Sequence, residues 1–105
     1  MIIFVDIDDT ICTNPNSNKT NYTNAIPHIE HIAKINKLYE QGHHIVYWTA
    51  RGAVTKQDWT LLTKQQLATW GAKYHQLRLD KPYYDLFIDD KAITKIENLT
   101  ECLIK

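Results

Sequence analysis

Thiols are scarce in this 105-residue chain. Cys12 and Cys102 are the only two, and they form no CxxC pair. That excludes a disulfide framework or a zinc knuckle as the organising device and leaves reduced, cytoplasmic thiols as the expectation. Net charge is missing as well. Twelve basic residues balance twelve acidic ones, and no run of like charges forms a tail. Neither nucleic acid nor an anionic membrane is therefore expected as a partner. No apolar stretch approaches the ~20 residues of a membrane span. The N-terminus has no basic region before its apolar run, which stops at Asp6, so it does not read as a secretory leader. Internal repeats are absent too. A chain of this length supports one domain, with a single sheet and a few helices.

What is present begins with MIIFVDIDDT, Met1 to Thr10. Four consecutive apolar residues, Ile2 to Val5, read as a strand buried on both faces, as in a parallel sheet. Asp6, Asp8 and Asp9 follow at its carboxyl end, where open α/β sheets place their ligands. Gathered carboxylates of this kind point to a cation site.

The tract rich in Asn, Ser and Thr from Thr13 to Asn24 is a loop, read as a flap (about 12–25) over that acidic cluster. Asn24 is placed to cap a helix whose apolar residues, among them Ile29, Ile32, Ile35 and Leu38, recur at helical spacing until Gly42 ends it. His43 to Trp48 reads as a second strand, followed by Thr49-Ala50-Arg51-Gly52. A second helix is expected from near Thr55 to Trp70. A third strand is expected over Tyr74–Leu79 and a fourth over Tyr84–Ile88, then a short helix over 92–97 and an apolar tail over 99–104. Strands alternating with helices predict a parallel sheet with right-handed crossovers. All strand ends then share one edge, so Asp6, Asp8, Thr49, Arg51, Lys81, Asp89 and Asp90 converge there.

This set suits phosphate. Carboxylates bind a hard, oxygen-loving cation, usually Mg²⁺ where phosphate is also bound. Two like charges ~4 Å apart repel by roughly 4 kcal/mol at an effective dielectric of 20, and a divalent ion relieves that. Lys81 adds a point charge. Thr49 and the backbone N–H of Ala50 can hold phosphoryl oxygens, and the N–H of Ile7 can face them too. Asp6 would attack phosphorus, while Asp8 gives a proton to the leaving alcohol and later takes one from water.

The ordered set DxDxT (Asp6 to Thr10), Thr49, Lys81 and Asp89-Asp90, each at a strand end, resembles the haloacid dehalogenase (HAD) superfamily. YWTARG (Tyr47 to Gly52), WGAKYH (Trp70 to His75) and KPYYDLFIDDKA (Lys81 to Ala92) look like the small capless phosphatases of bacterial capsule and surface-polysaccharide clusters. The resemblance implies a three-layer Rossmann-like α/β fold. Its parallel sheet has about four strands in order 3-2-1-4, helices on both faces and no cap domain. It implies a Mg²⁺-dependent phosphomonoesterase acting on a sugar, polyol or amino-alcohol phosphate. Asp6 (through its carboxylate) and Asp8 (through its backbone carbonyl) would ligate the metal with Asp90 or Asp89. Asp9 stands where the family often has glycine, and no role is assigned to it.

Arg51 could hold a second anionic group of the substrate or pair with a surface acid. His28, at the end of the flap, is the histidine placed to touch substrate. Cys12 is expected to be a passive thiol, its pKa raised by the neighbouring acids. Capless relatives cover their sites with neighbouring copies, so a homo-oligomer is allowed. The alternatives are a phosphoprotein phosphatase, a non-catalytic module of the same fold, and a phospho-receiver domain. The last needs an acceptor Asp mid-chain, where only Asp58 stands.

Overall fold

Ile2–Val5 form β1 because β-branched and aromatic residues suit a pleated strand, but it is not buried on both faces as expected: Val5 is buried, whereas Ile2 and Phe4 are exposed. In the computed structural model, which describes residues 1–15 and 21–99, β1 pairs with β4 (His44–Trp48), and β4 pairs with β5 (Gln76–Arg78). Both pairings are parallel, giving a three-stranded sheet in order β1-β4-β5. Ile3 stands opposite Ile45 and Val5 opposite Tyr47, so these four share one face of the sheet. A second, two-residue ladder joins β2 (Cys12–Thr13) to β3 (Ile26–Pro27) and closes the base of the flap. The flap's centre (16–20), Cys102 and most of the expected apolar tail lie outside the described residues. No described helix is long and apolar enough to cross a membrane.

Two α-helices are described. The first, α1, spans Ile29–Glu40 and buries Ile32, Ile35 and Leu38; Gly42 closes it at φ 97°, a conformation glycine adopts without strain. It starts later than an Asn24 cap would place it. Pro27 favours extended backbone at Ile26, and that pair joins the β2–β3 ladder instead of a helical turn. The second helix, α2, spans Thr60–Thr69, shorter than the expected 55–70. Gly52 and Lys56 sit at φ 87° and 63°, left-handed values that a right-handed helix cannot include.

Helices on both faces were expected, but both described helices pack on one. The buried cluster joins Ile32, Ile35 and Leu38 of α1 and Leu67 of α2 to Val5, Ile45 and Tyr47. The chain moves from β1 to β4 to β5 in one direction across the sheet. Two right-handed crossovers in the same direction put their helices on the same side. The opposite face carries Phe4 and Trp48, packed edge to face at 5.5 Å, with Arg78 over both rings.

The fourth strand expected at Tyr84–Ile88 does not form, and β1 is left as an edge. Leu86 and Ile88 are 77% and 87% exposed. A groove of about 860 Å³ separates β1 from this segment, with Ile2, Phe4, Tyr84, Phe87 and Ile93 on its walls. Pairing would set Asp89 and Asp90 beside Asp6 and Asp8, and like charges at that range repel. Asp85 also interrupts the apolar run. The expected helix at 92–97 is replaced by a 3₁₀ turn at Ile96–Leu99.

One core group is poorly matched to its surroundings. Tyr47 is 0% exposed, and its hydroxyl has no hydrogen-bond partner among the described residues. Burial pushes its phenol above the ordinary 10.0. The unfolded chain therefore ionises first, and this residue's share of stability falls as pH rises past that value. Tyr47→Phe removes the orphan hydroxyl. It should stabilise the fold by about 1 kcal/mol at pH 7 and flatten the alkaline loss, read as urea midpoints at pH 7 and 10.5.

Candidate active site

Asp6 leaves the end of β1 half-buried, facing Lys81, with Lys81 Nζ 3.6 Å from Asp6 Oδ1. Lys81 is placed by the chain leaving β5, and its backbone N–H donates to the carbonyl of Thr49 at 3.2 Å. Burial raises the Asp6 carboxyl above its usual 3.8. The Lys81 charge and a hydrogen bond from the Ile7 N–H pull it back, and the Asp8 charge raises it further. Ile7 is fully buried, so its contribution here is its amide, which serves Asp6.

Asp8 has a different partner, one that the sequence left open. Arg51 takes it in a bidentate grip: Nε donates to Oδ2 at 3.0 Å and Nη2 to Oδ1 at 2.9 Å. The Arg51 side chain is 0% exposed, and the acid it pairs with is Asp8. Its remaining donors are used too. Nη1 donates to Thr63 Oγ1 at 3.1 Å and Gln66 Oε1 at 2.6 Å, and Nη2 meets Cys12 Sγ at 3.9 Å. The Tyr22 ring lies 4.7 Å from the guanidinium, and Gln66 Nε2 donates to the Tyr22 carbonyl at 2.7 Å. Asn14 Nδ2 donates to Asp8 Oδ1 at 2.9 Å. Both ends of the flap are therefore fastened to the carboxylate two residues beyond Asp6.

Thr49 is buried at the end of β4, and its hydroxyl accepts the Arg51 N–H at 3.2 Å. Ala50 follows it, half-buried. His28 stays at the flap base, where its Nε2 lies 2.7 Å from Thr13 Oγ1. Cys12 is buried, and its thiol is pushed from 9.0 up to about 12 by burial first and by the Asp8 charge second. Asp9 gains the role the sequence did not assign. It turns the chain at φ 63°, its N–H donating to the Cys12 carbonyl at 2.8 Å. Glycine takes that conformation most easily, and Asp is among the few other residues that tolerate it. A glycine at that motif position was the available signal.

Asp89 and Asp90 are both exposed. Asp89 shares the groove with Asp6 and Thr10, whereas Asp90 does not line it. The donor chemistry of Asp6, Asp8, Asp89 and Asp90 fits a hard divalent cation. Among the described residues, however, no three such groups are gathered into one shell.

No protein-family model matches the sequence, and no curated protein matches it. Solved structures do. The fold is similar to the crystal structure of a structural-genomics target from Vibrio cholerae, with a TM-score of 0.80 at 22% identity, covering 92% of this chain and 85% of the other. It is also similar to a chain of the Pnkp1/Rnl/Hen1 complex, with a TM-score of 0.63 at 15% identity. That match covers 97% of this chain but 34% of the larger one, so the chain spans about a third of that relative's length. Likeness at these identities establishes the α/β architecture with its parallel sheet.

Proposed function

We propose that this chain is a capless HAD-type phosphatase that hydrolyses a small phosphorylated metabolite through an aspartyl phosphate. The observation that carries the reading is the unequal treatment of two carboxylates two residues apart. Asp6, at the strand end, faces the point charge of Lys81. Asp8 is clamped by a buried guanidinium. This difference supports a reading in which Asp6 attacks and Asp8, held in a fixed place, handles protons.

In the first step an Asp6 oxygen bonds to phosphorus, the ester P–O bond breaks, and the alcohol leaves with a proton from Asp8. In the second, Asp8 takes a proton from water as that water attacks phosphorus, releasing phosphate and restoring Asp6. Lys81 offsets the charge of the transferring group, which is the main demand of phosphoryl transfer. In this reading Thr49 and the backbone N–H of Ala50 would hold phosphoryl oxygens. Mg²⁺, held by Asp6, the Asp8 backbone carbonyl and Asp89 or Asp90, would supply the rest of the charge neutralisation. For the last pair to reach Asp6, Tyr84–Ile88 must close onto the free edge of β1 as a fourth strand, giving the order 3-2-1-4.

Three outcomes test this. A panel of phosphorylated sugars, polyols and amino alcohols with Mg²⁺ should yield phosphate from at least one member, and Asp6→Asn should lower that rate by about 10³-fold or more. Release from none, or equal release by the variant, overturns the nucleophile. Arg51→Lys keeps the charge but loses the fork. It should lower kcat by roughly 10- to 100-fold with little change in KM, because Arg51 touches Asp8 and not substrate. A rise in KM alone would make Arg51 a substrate ligand after all. Finally, the amides of Ile2 and Phe4 alternate with those turned toward β4 and so face the open edge. Mg²⁺ should slow their hydrogen exchange if Tyr84–Ile88 docks there; unchanged exchange would leave β1 an edge strand.

A further inference from the structure

The donors around the Asp8 carboxylate are shared unequally between its two oxygens. Oδ1 accepts Arg51 Nη2 at 2.9 Å and Asn14 Nδ2 at 2.9 Å, with the Cys12 thiol a weaker donor at 3.5 Å. Oδ2 accepts Arg51 Nε at 3.0 Å and, among the described residues, nothing else. An ionised carboxylate has about four acceptor sites, two on each oxygen. Both sites on Oδ1 are therefore filled, and one on Oδ2 stays open. The Cys12 thiol can turn to the Ile7 carbonyl at 3.6 Å instead, so beyond Arg51 it is Asn14 that keeps Oδ1 occupied.

Asn14 reaches Asp8 because it follows β2 directly. Alternate residues of an extended chain face the same side, so Cys12 and Asn14 both turn toward Oδ1. A carboxylate only accepts, so the amide presents its NH₂ group to Asp8. Its own oxygen is then left buried, with no hydrogen-bond partner among the described residues. A buried acceptor without a donor costs stability, and a hydrocarbon side chain of similar size would avoid that cost. What the amide adds in exchange is one N–H on Asp8 Oδ1. The Asp8 side chain keeps 22% exposure, so an alcohol or a water can still approach it.

We propose that Asn14 is a positioning residue for the reaction: by filling Oδ1 it makes Oδ2 the oxygen that carries the transferable proton. The inference rests on the phosphatase reading and adds the atom through which Asp8 works. A proton on Oδ1 would have to displace the bond from Asn14 or from Arg51, whereas Oδ2 takes it at an open site. In the first step the Oδ2–H bond breaks, its electron pair stays on Oδ2, and the proton goes to the ester oxygen as the P–O bond breaks. In the second, Oδ2 takes a proton from the water that attacks phosphorus. Without Asn14 the proton divides between two oxygens, one of them turned away from the leaving group.

Two esters that differ by one nitro group test this. Phenoxide is a strongly basic leaving group and needs the proton, whereas 4-nitrophenoxide leaves with far less help. The value of kcat/KM covers the steps up to transfer onto Asp6, before water enters, so it isolates the acid role. Asn14→Leu, close to Asn in size but without a donor, should lower kcat/KM for phenyl phosphate roughly ten-fold more than for 4-nitrophenyl phosphate. Asn14→Ala makes the same comparison with less bulk to accommodate. Asn14→Gln returns an amide N–H and should recover the lost selectivity. A loss shared equally by both esters is what a merely structural role in the flap would give, and it would overturn the assignment. No loss on either ester, or no recovery in Asn14→Gln, would overturn it as well. The unaltered chain reports the chemistry separately. Phosphate from neither ester, or as much from Asp6→Asn, sinks the phosphatase reading and this inference with it. An active unaltered chain beside an unselective Asn14→Leu sinks the assignment of Oδ2 alone.

Discussion

Bringing a guanidinium with no solvent exposure against a carboxylate removes two charges from water, a change that costs several kcal/mol per ion unless every polar atom finds a partner. Arg51 meets that condition: its donors go to Asp8, Thr63, Gln66 and Cys12. The groups it gathers come from the end of β1, the β2 strand, the loop after β4 and α2, with Tyr22 stacked above. A single side chain thereby fixes the positions of the flap base, the second helix and the Asp8 carboxylate. Removing either charge would strand the other, a loss of roughly 3–5 kcal/mol for a buried pair. The site and the fold are for this reason not separable around Asp8.

The same dependence explains what was legible in the residues and what was not. Asp6 and Asp8 stood out because an apolar run ends in acids, and a parallel sheet gathers such ends on one edge. Lys81 follows from the same rule, and the structure brings it to Asp6. The partner of Arg51 could not be read, because Asp8 lies 43 positions away and a lone arginine after a strand looks alike whether it faces water or a carboxylate. Asp9 was opaque for another reason. Its job is a backbone angle, and composition is silent on φ except where glycine announces it. The helices' common face was available in principle. It needed the strand order to be combined with crossover handedness, which periodicity along a single helix cannot supply.

The β1 edge is where local pattern and tertiary outcome part. Tyr84–Ile88 has the residues of a strand, yet its apolar side chains face solvent across a groove from Ile2 and Phe4. Strand propensity is a statement about packing against neighbours, and the neighbour here is reached only by bringing two acids toward two others. An edge strand flanked by apolar residues is otherwise a liability for association. Electrostatics at one end of the strand can thus decide whether hydrogen bonds form along its whole length.

The two cations of the site also differ in kind, and the difference suits the division of labour proposed for the acids. Lysine carries a compact charge on a flexible stem, whereas arginine's planar fork holds a carboxylate in one orientation. Under the proposed reaction the Asp6 charge passes to phosphoryl oxygens, and a partner that can follow it is worth more than one that holds it still. Asp8 has the opposite requirement. It must meet first the leaving oxygen and then a water at nearly the same place, so its carboxylate gains from being held in one orientation. Lys81 at 3.6 Å and Arg51 in a two-point grip meet these demands in turn. Under the same proposal, exchanging the two cations would give Asp6 a partner too rigid to release it and Asp8 one too mobile to aim it.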